Sequence, residues 1–299
     1  MLATKLQKGD ICKIVAPSFS VQQQDETELN RGIDFLEKSI GLKCVLADDI
    51  NKEEYIIKAK SLNKVLKDES KICIAARGGD GCENILKYVE YTNIMPKIIC
   101  GFSDITSLLN YIYLKTGLIT FHASTVKALG RVEDEKLDNR TFIDFKEKFM
   151  NNNFKYVDKI HSVNNGVNFE GKLLGGNLSC FTKLMDLNVD IDLTKHIIFL
   201  EELGYESDEK NIIENLKKLE KANGFKNISG FLIGNYVHES KAALEDIIKR
   251  EYAKYNFSIV KGDFFGHGKL NLIIPIGTKA KIDIEKKEFI IDEKVLKED

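Results

Sequence analysis

The chain has 299 residues, 43% of them hydrophobic, and its 44 basic and 46 acidic side chains give a net charge of −2. No basic excess points to nucleic acid or to an anionic membrane surface as a partner. The N-terminus has no apolar leader-like core, and no apolar run approaches ~18 residues, so neither export nor a membrane span is expected. The six scattered cysteines lack any metal-ligand spacing, so no metal site is expected among them, and they indicate reduced thiols in the cytoplasm.

Short apolar runs alternate with segments of helical periodicity over roughly the first 125 residues. The predicted strands are residues 11–16, 43–47, 72–76, 98–102 and 118–121. The predicted helices are residues 25–39, 53–67, 83–89 and 105–116. Ser103 or Asp104 is the expected N-cap of the last helix. This alternation predicts a parallel α/β sheet.

A polar segment rich in Asn, Lys and Asp separates this region from the rest of the chain and is predicted to contain one helix. After it the predicted strands are residues 195–200, 228–233, 258–260, 271–275, 279–284 and 288–291. The predicted helices there are residues 209–222 and 241–254. We therefore expect an N-terminal domain over residues 1–130, a connecting segment over 131–164 and an α+β second domain over 165–299.

The stretch at residues 71–86, KICIAARGGDGCENIL, is predicted to organise the chain. A buried strand leads into a glycine-rich bend and then into the first turn of a helix. In open α/β folds the carboxyl edge of such a sheet is where ligands bind. Cys82 leaves the bend at the predicted helix N-terminus, where the helix dipole favours a thiolate. The adjacent Glu83 opposes that effect by charge repulsion, so the sequence leaves the pKa of the thiol open.

Two further segments carry isolated polar residues at strand ends. An apolar run over residues 197–200 ends at Glu201, and His267 lies between two glycines that leave its ring accessible. A cysteine, a histidine and a glutamate at strand ends are what a nucleophile, a base and an orienting carboxylate require. Each also has an ordinary interpretation, as a buried core thiol, a loop histidine and a solvated carboxylate. The bend at residues 78–81 has neither the GxGxxG nor the GxxxxGKS/T spacing, which disfavours a phosphate-binding loop.

Seven blocks in a fixed order carry a family likeness. They are GDICKIVAPS (9–18), AARGGDGCENIL (75–86), PKIICGFSDITSL (96–108), GLITFH (117–122), LLGGNLS (173–179), IFLEE (198–202) and FGHGKLNLIIPIGTKAKID (265–283). Together they resemble the LD-carboxypeptidases, a serine-peptidase family that also includes the microcin-immunity hydrolases. The likeness runs from about residue 8 to residue 283, which is nearly the whole chain.

The resemblance implies a hydrolase with a Ser–His–Glu triad built across two domains, the first flavodoxin-like and the second smaller and β-rich. The family's nucleophile is matched to Cys82, its histidine to His267 and its glutamate to Glu201. The family's bend typically reads RGGYGS, so this chain departs from it at Asp80 and at Cys82. Cysteine is competent in the same role, because Cys–His pairs perform acyl transfer on other folds.

The residues in and beside the bend are the candidates for oxyanion and substrate binding. The oxyanion hole would combine the N–H of Glu83 with a glycine N–H from Gly78 or Gly79. Arg77 would hold a substrate carboxylate in a bidentate ion pair, or else bond loop carbonyls. Asp80 would disfavour acidic groups beside the scissile bond, or select an amino group.

By this resemblance we expect a cytoplasmic, cofactor-free, homodimeric carboxypeptidase of peptidoglycan recycling. It would remove the terminal D-alanine from a murein-type tetrapeptide through an acyl-enzyme on Cys82. One alternative is a microcin-immunity-type hydrolase of peptidyl or aminoacyl nucleotides. Another is a catalytically silent protein that binds peptides, against which the retention of Glu201 and His267 argues.

Overall fold

The structure is a computed structural model that describes residues 1–132, 137–154, 158–164, 166–204, 208–223, 225, 227–235, 237–238 and 243–298. It contains a six-stranded sheet, formed mainly by the N-terminal part of the chain, and an eight-stranded sheet formed by the C-terminal part. Within the described ranges, every helix is too short or too polar to traverse a lipid bilayer.

The first sheet has a core of five parallel strands. They are β1 (Ile11–Val15), β2 (Lys43–Leu46), β3 (Ile72–Ala75), β4 (Ile98–Gly101) and β5 (Thr120–His122). Their spatial order β2–β1–β3–β4–β5 is the flavodoxin-like order, which confirms the expected fold of this region. Strands β3 and β4 are buried along their whole length, and this double-sided burial is why their sequences are continuously apolar.

Four α-helices accompany these strands in the described N-terminal region. They are α1 (Glu26–Asp34), α2 (Tyr55–Lys67), α3 (Thr106–Thr116) and α4 (Val126–Leu129). The helix predicted after the glycine-rich bend is instead a 3-10 helix, Cys82–Tyr88. The α-helical N-terminus that was expected to favour a Cys82 thiolate is therefore absent from this position.

Most of the remaining strands form the second sheet, but two of them pair with each other in a separate small sheet and one joins the first sheet. The strands are β6 (Asp158–Lys159), β7 (His161–Ser162), β8 (Phe169–Asn177), β9 (His196–Glu201), β10 (Leu203–Gly204), β11 (Gly230–Asn235), β12 (Val237–His238), β13 (Ser258–Gly266), β14 (Ile274–Ile276), β15 (Lys279–Asp283) and β16 (Glu288–Ile291). The helices are α5 (Arg140–Phe149), α6 (Leu178–Asp186), α7 (Glu209–Asn223) and α8 (Leu244–Glu251). Helix α5 confirms the single helix predicted in the connecting segment. The first two residues of the helix predicted at 241–254 lie outside the described residues.

The second sheet has the order β6–β16–β15–β8–β9–β11–β13–β7. Its middle strands β8, β9, β11 and β13 run parallel, and the outer strands are antiparallel to their neighbours. Strand β8 and helix α6 were not predicted as elements, because the glycines of LLGGNLS resembled a loop. Glycine is required at these positions of the strand, because atoms of neighbouring elements occupy the space that a larger side chain would need.

The two sheets are joined by several elements. Strand β14 belongs to the C-terminal part of the chain but pairs antiparallel with β5, so it completes the first sheet. Helix α3 contacts β8 through Asn110, whose side chain donates to the Gly175 carbonyl at 2.8 Å and accepts from the Gly175 N–H at 3.1 Å. These links bring the carboxyl ends of β4, β9 and β13 to one region, where the candidate site lies.

Candidate active site

Ser103 lies at the sharp turn between β4 and the short 3-10 helix Ser103–Ile105, which leads into α3. Its φ of +60° is in the left-handed region, where a residue other than glycine is strained. A serine on a strained turn from a strand into a helix projects its hydroxyl from the sheet edge. The expected capping role is wrong, because the helix start has no side-chain capping hydrogen bond from Ser103 or Asp104.

Glu201 and His267 form a hydrogen-bonded pair at the ends of β9 and β13. The Nδ1 of His267 contacts Oε2 of Glu201, whose side chain is fully buried, while the histidine side chain is 10% exposed. Gly266 has a φ of +106°, and a side chain there would bring its Cβ to 2.9 Å from Cβ of Glu201. Glycine is therefore needed for the close approach that brings the imidazole to the carboxylate.

A cavity of about 240 Å³ is shared by Ser103 and His267. The ring of Phe102, which precedes the serine, lies 5.0 Å from the ring of His267, measured between centroids. Gly78 forms part of the wall, and a Cβ built on it would lie 3.1 Å from Cβ of Ser103 and 3.3 Å from its Oγ. The bend thus approaches the serine with backbone atoms, which is possible only without a side chain at this position.

Cys82 does not line this cavity. Its side chain is fully buried, and its N–H donates to Oδ2 of Asp104 at 2.8 Å. Burial, together with the negative charges of Asp104 and Glu83, raises the pKa of the thiol well above its ordinary value. A protonated, inaccessible thiol is a poor nucleophile, so the structure argues against the role predicted for Cys82.

The other acidic residues of the bend are also directed away from the cavity. Asp80 and Glu83 lie 2.6 and 3.1 Å from the ammonium group of Lys183, which also lies 3.3 Å from the buried carboxylate of Asp104. The hydrogen bond from Lys183 lowers the pKa of Asp80. Asp80 is therefore a neutralised partner of Lys183, and the geometry does not support its predicted influence on substrate choice.

Arg77 does line the cavity, but its guanidinium is already paired. Its Nη1 bonds the buried carboxylate of Asp25, which also pairs with Lys127. Burial of Asp25 opposes ionisation, but the hydrogen bond from Lys127 and the charge of Arg77 lower its pKa overall. The guanidinium carbon lies 5.6 Å from the centre of the Phe19 ring. Arg77 thus remains at the mouth of the cavity as a partly neutralised cation.

Sequence reasoning missed several of the residues at this site. Ser103 was assigned to a helix cap, although it stands in the block GFSD directly after a buried strand, as a sheet-edge nucleophile would. Lys127 and Lys183 had no sequence signal, since their acidic partners are distant in the chain. Strand β3, which leads into the bend, pairs with β4, so Cys82 and Ser103 both follow strands that end at the same edge of the sheet.

The two-sheet α/β fold described above is shared with solved structures of MccF-like proteins. An MccF-like protein from Bacillus anthracis has the same fold with a TM-score of 0.85 and 24% identity, over 98% of this chain and all of that chain. The structure of microcin C7 self-immunity protein MccF in complex with aspartyl sulfamoyl adenosine gives a TM-score of 0.85 and 22% identity, over 99% and 100% of the two chains.

The family follows from sequence comparison as well. The family model of the LD-carboxypeptidase N-terminal domain matches residues 12–123, and that of the LD-carboxypeptidase C-terminal domain matches residues 170–282. The chain belongs to the LD-carboxypeptidase family, which confirms the resemblance seen in the sequence. The family supports a peptidase-like hydrolase as the general class of activity.

Two relatives illustrate the range of the family. A protein of Bacillus subtilis named "Probable murein peptide carboxypeptidase" is 27% identical, over 96% of this chain and 93% of its own length. The Escherichia coli "Microcin C7 self-immunity protein MccF" is 26% identical, over 99% of this chain and 97% of its own length. Relatives of similar distance therefore carry names for different substrates.

Proposed function

We propose that this protein is a serine hydrolase in which Ser103 is the nucleophile, His267 the general base and Glu201 the orienting carboxylate. The observation that carries this proposal is the bond from His267 Nδ1 to the buried Glu201, at a cavity that Ser103 also lines. Ser103 takes the role that the sequence had suggested for Cys82. With Ser103 as the nucleophile, the proposed triad is Ser–His–Glu, as the resemblance to the family implies.

The proposed reaction is acyl transfer in two steps. Ser103 Oγ attacks the substrate carbonyl carbon while His267 Nε2 takes the hydroxyl proton, and His267 then gives that proton to the leaving amine. Water hydrolyses the ester by the reverse proton transfers. Glu201 holds the imidazole with Nδ1 protonated, so that Nε2 is free to accept.

The oxyanion would be stabilised by backbone N–H groups of the bend and of the serine turn. Gly78 is the first candidate, because it approaches Ser103 closely and, among the described residues, its N–H has no hydrogen-bond acceptor. The second is the N–H of Asp104, the residue after the proposed nucleophile, in the first turn of a helix. Loss of one such donor typically costs about 10²–10³ in rate.

The proposed substrate is a short peptide that ends in a D-amino acid, such as a murein tetrapeptide that loses D-alanine. Its terminal carboxylate would bind the basic wall of the cavity, where Arg77, Lys127 and Arg131 outnumber the two carboxylates that pair with them. The apolar side chain of Leu203 also lines the cavity and would contact the D-alanine methyl group. The relative named as a murein peptide carboxypeptidase supports this assignment.

The test is mass spectrometry of the protein mixed with a murein tetrapeptide, together with the variants Ser103→Ala and Cys82→Ala. We expect loss of D-alanine and an acyl adduct on Ser103. Ser103→Ala should abolish both, whereas Cys82→Ala should retain both. Turnover that survives Ser103→Ala but disappears in a folded Cys82→Ala variant would contradict the proposal and favour the cysteine.

The second candidate function is hydrolysis of an aminoacyl or peptidyl nucleotide. It is supported by the complex of MccF with aspartyl sulfamoyl adenosine and by Phe19, a residue that is 46% exposed and lines the cavity, where its ring could stack on a base. Cleavage of such a compound without cleavage of the tetrapeptide would favour this function. A catalytically silent peptide-binding protein would retain the tetrapeptide without forming product.

We also propose a cytoplasmic role in peptidoglycan recycling and a homodimeric assembly. The edge strand β2 exposes Val45 and Leu46, and Ile57 of α2 is exposed nearby, with exposed fractions of 39%, 42% and 39%. An apolar strand edge favours association with a second copy. Light scattering should give twice the chain mass, and Leu46→Lys should reduce it to one chain.

A further inference from the structure

His122 is a buried histidine that packs beside the proposed triad and takes no part in the reaction proposed above. It ends β5 with 1% of its surface exposed. Its ring meets three phenylalanine rings edge-on, with centroid distances of 6.0 Å to Phe102, 5.8 Å to Phe199 and 5.9 Å to Phe265. Each of these phenylalanines precedes a member of the proposed triad by one or two residues in the sequence. The histidine is thus packed among the three chain segments that carry the proposed catalytic groups.

The hydrogen bonds around Asn271 assign the protons of this ring. The Oδ1 of Asn271 accepts from the Gly266 N–H at 3.0 Å, and its Nδ2 donates to Ser124 Oγ at 3.3 Å. The same Oδ1 lies 3.1 Å from Nε2 of His122, so Nε2 must carry a proton and donate it. Burial lowers the pKa of His122 to about 4, so the ring is neutral and its Nδ1 is an acceptor.

Two acceptor atoms in this cluster have no donor. Among the described residues the buried side-chain atoms without a hydrogen-bond partner are Arg77 Nε, His122 Nδ1, Glu201 Oε1 and Thr278 Oγ1. Both side chains approach Gly266: its N–H shares the Asn271 Oδ1 acceptor with His122, and a Cβ built on it would lie 2.9 Å from Cβ of Glu201. Two acceptors cannot bond each other, and a buried acceptor without a donor is costly. A single water has two hydrogens and can donate one to each atom.

We propose that His122 is a positioning residue, which holds a buried water between its Nδ1 and Oε1 of Glu201. Because Oε2 of the same carboxylate bonds His267, fixing Oε1 fixes the rotation of the carboxylate and hence the direction of the imidazole. The contribution of His122 to catalysis rests on the proposed function. The hydrogen bonds among His122, the water and Glu201 do not depend on that function.

Two amide variants distinguish the role of Nδ1 of His122 from that of Nε2. His122→Asn places an amide oxygen near the position of Nδ1, so it can accept from the water but loses the bond to Asn271. His122→Gln places an amide near the position of Nε2, so it keeps the bond to Asn271 but has nothing at Nδ1. Thr278→Val is the control, because it removes another buried, unpartnered polar atom, from a residue that does not line the site cavity.

The measurements are the far-downfield proton resonance of His267 Nδ1–H and the rate at which a fluorophosphonate labels Ser103. We expect His122→Asn and Thr278→Val to keep both close to the wild type. His122→Gln should move the resonance upfield and slow labelling about 10–100-fold. With the tetrapeptide, kcat should fall while KM stays unchanged, since the residue touches no substrate.

A His122→Gln variant with wild-type resonance and labelling would overturn the proposal, and so would a His122→Asn variant that loses both as fully as His122→Gln. Thermal unfolding of each variant establishes that it is folded, and either variant alone can overturn the inference. A wild-type protein in which Ser103 is never labelled would instead count against the proposed function. The resonance would then still decide whether His122 positions Glu201.

Discussion

At the scale of single residues, exposure separates the two candidate nucleophiles. Cys82 and Ser103 follow neighbouring strands of one sheet, yet the thiol is buried beside Asp104 while the serine lines the cavity with His267. A thiol is intrinsically the better nucleophile only as a thiolate, and burial next to a carboxylate prevents that form. The environment of the side chain therefore outweighs its chemical type.

The reactivity of the thiols tests this environment directly. We expect Cys44, the partly exposed cysteine, to react first with an alkylating reagent in the native protein, because the other cysteines are buried. Cys82 should react only after unfolding, since both its burial and its raised pKa oppose attack. Peptide mapping after timed alkylation would measure this. Alkylation of Cys82 as fast as Cys44 would contradict the buried position.

Asp25 predicts a contribution to stability that depends on pH. Its pKa in the folded protein is depressed, so its ionisation stabilises the fold above the unfolded pKa of about 4, and this contribution is lost as pH falls through the folded value. We expect Asp25→Asn to be less stable than the wild type at pH 7 and the difference to shrink on acidification. Denaturant unfolding at several pH values measures it. A difference that is constant with pH would refute the linkage.

At the scale of elements, the turn after β13 brings His267 to Glu201. Gly266 adopts a conformation that other residues rarely adopt, and its neighbours leave no room for a side chain. Sequence reasoning singled out this histidine because glycines flank it. The structure gives the reason for the first of these glycines, which allows the chain to turn against the buried carboxylate.

Gly266→Ala should therefore reduce both stability and activity. The matched control is Gly9→Ala, because Gly9 also has a positive φ, of +92°, but a Cβ added there would meet no heavy atom within 4 Å. Gly9→Ala should lose only about 1–2 kcal/mol of stability, from the strain of a left-handed backbone, and should keep its activity. Thermal unfolding and tetrapeptide turnover would compare them. Equal effects in the two variants would mean that crowding at Gly266 is unimportant.

At the scale of the whole molecule, a lysine of the second part of the chain is bound by carboxylates of the first. Lys183 of α6 meets Asp80, Glu83 and the fully buried Asp104. Burial opposes its charge, but these carboxylates raise the pKa of Lys183 overall. Asp104 also accepts from Ser18 Oγ and from the Cys82 N–H, so this cluster fixes the bend against the serine turn.

Lys183→Met should destabilise the protein by about 3 kcal/mol, since it leaves the buried carboxylate of Asp104 without its cation. Lys218→Met is the control, because its pair with Asp186 is exposed and should contribute about 0–1 kcal/mol. Denaturant unfolding measures both changes. If the two variants lost equal stability, the cluster would not be what joins these parts of the chain.

Much of the fold could be read from local sequence patterns. Strands β1 to β5 and helices α2 and α3 were predicted within a few residues, because apolar runs and helical periodicity reflect burial on two faces or on one, whereas the short helix α4 was not predicted. Strand β8 escaped prediction because its glycines are required by neighbouring strands, which no local pattern reveals. The 3-10 helix at Cys82–Tyr88 likewise differs from the α-helix that its apolar spacing indicated.

The sequence by itself determined the family and the flavodoxin-like sheet and singled out Glu201 and His267 as site candidates, because motifs and periodicity are properties of the chain order. Only the tertiary structure decided which nucleophile candidate lines the same cavity as the histidine. That choice depends on solvent access and on contacts between residues far apart in the chain, such as Asp104 with Lys183 and Ser103 with the cavity of His267. Burial is a property of the assembled fold, which buries Cys82 and leaves Ser103 at the wall of the cavity.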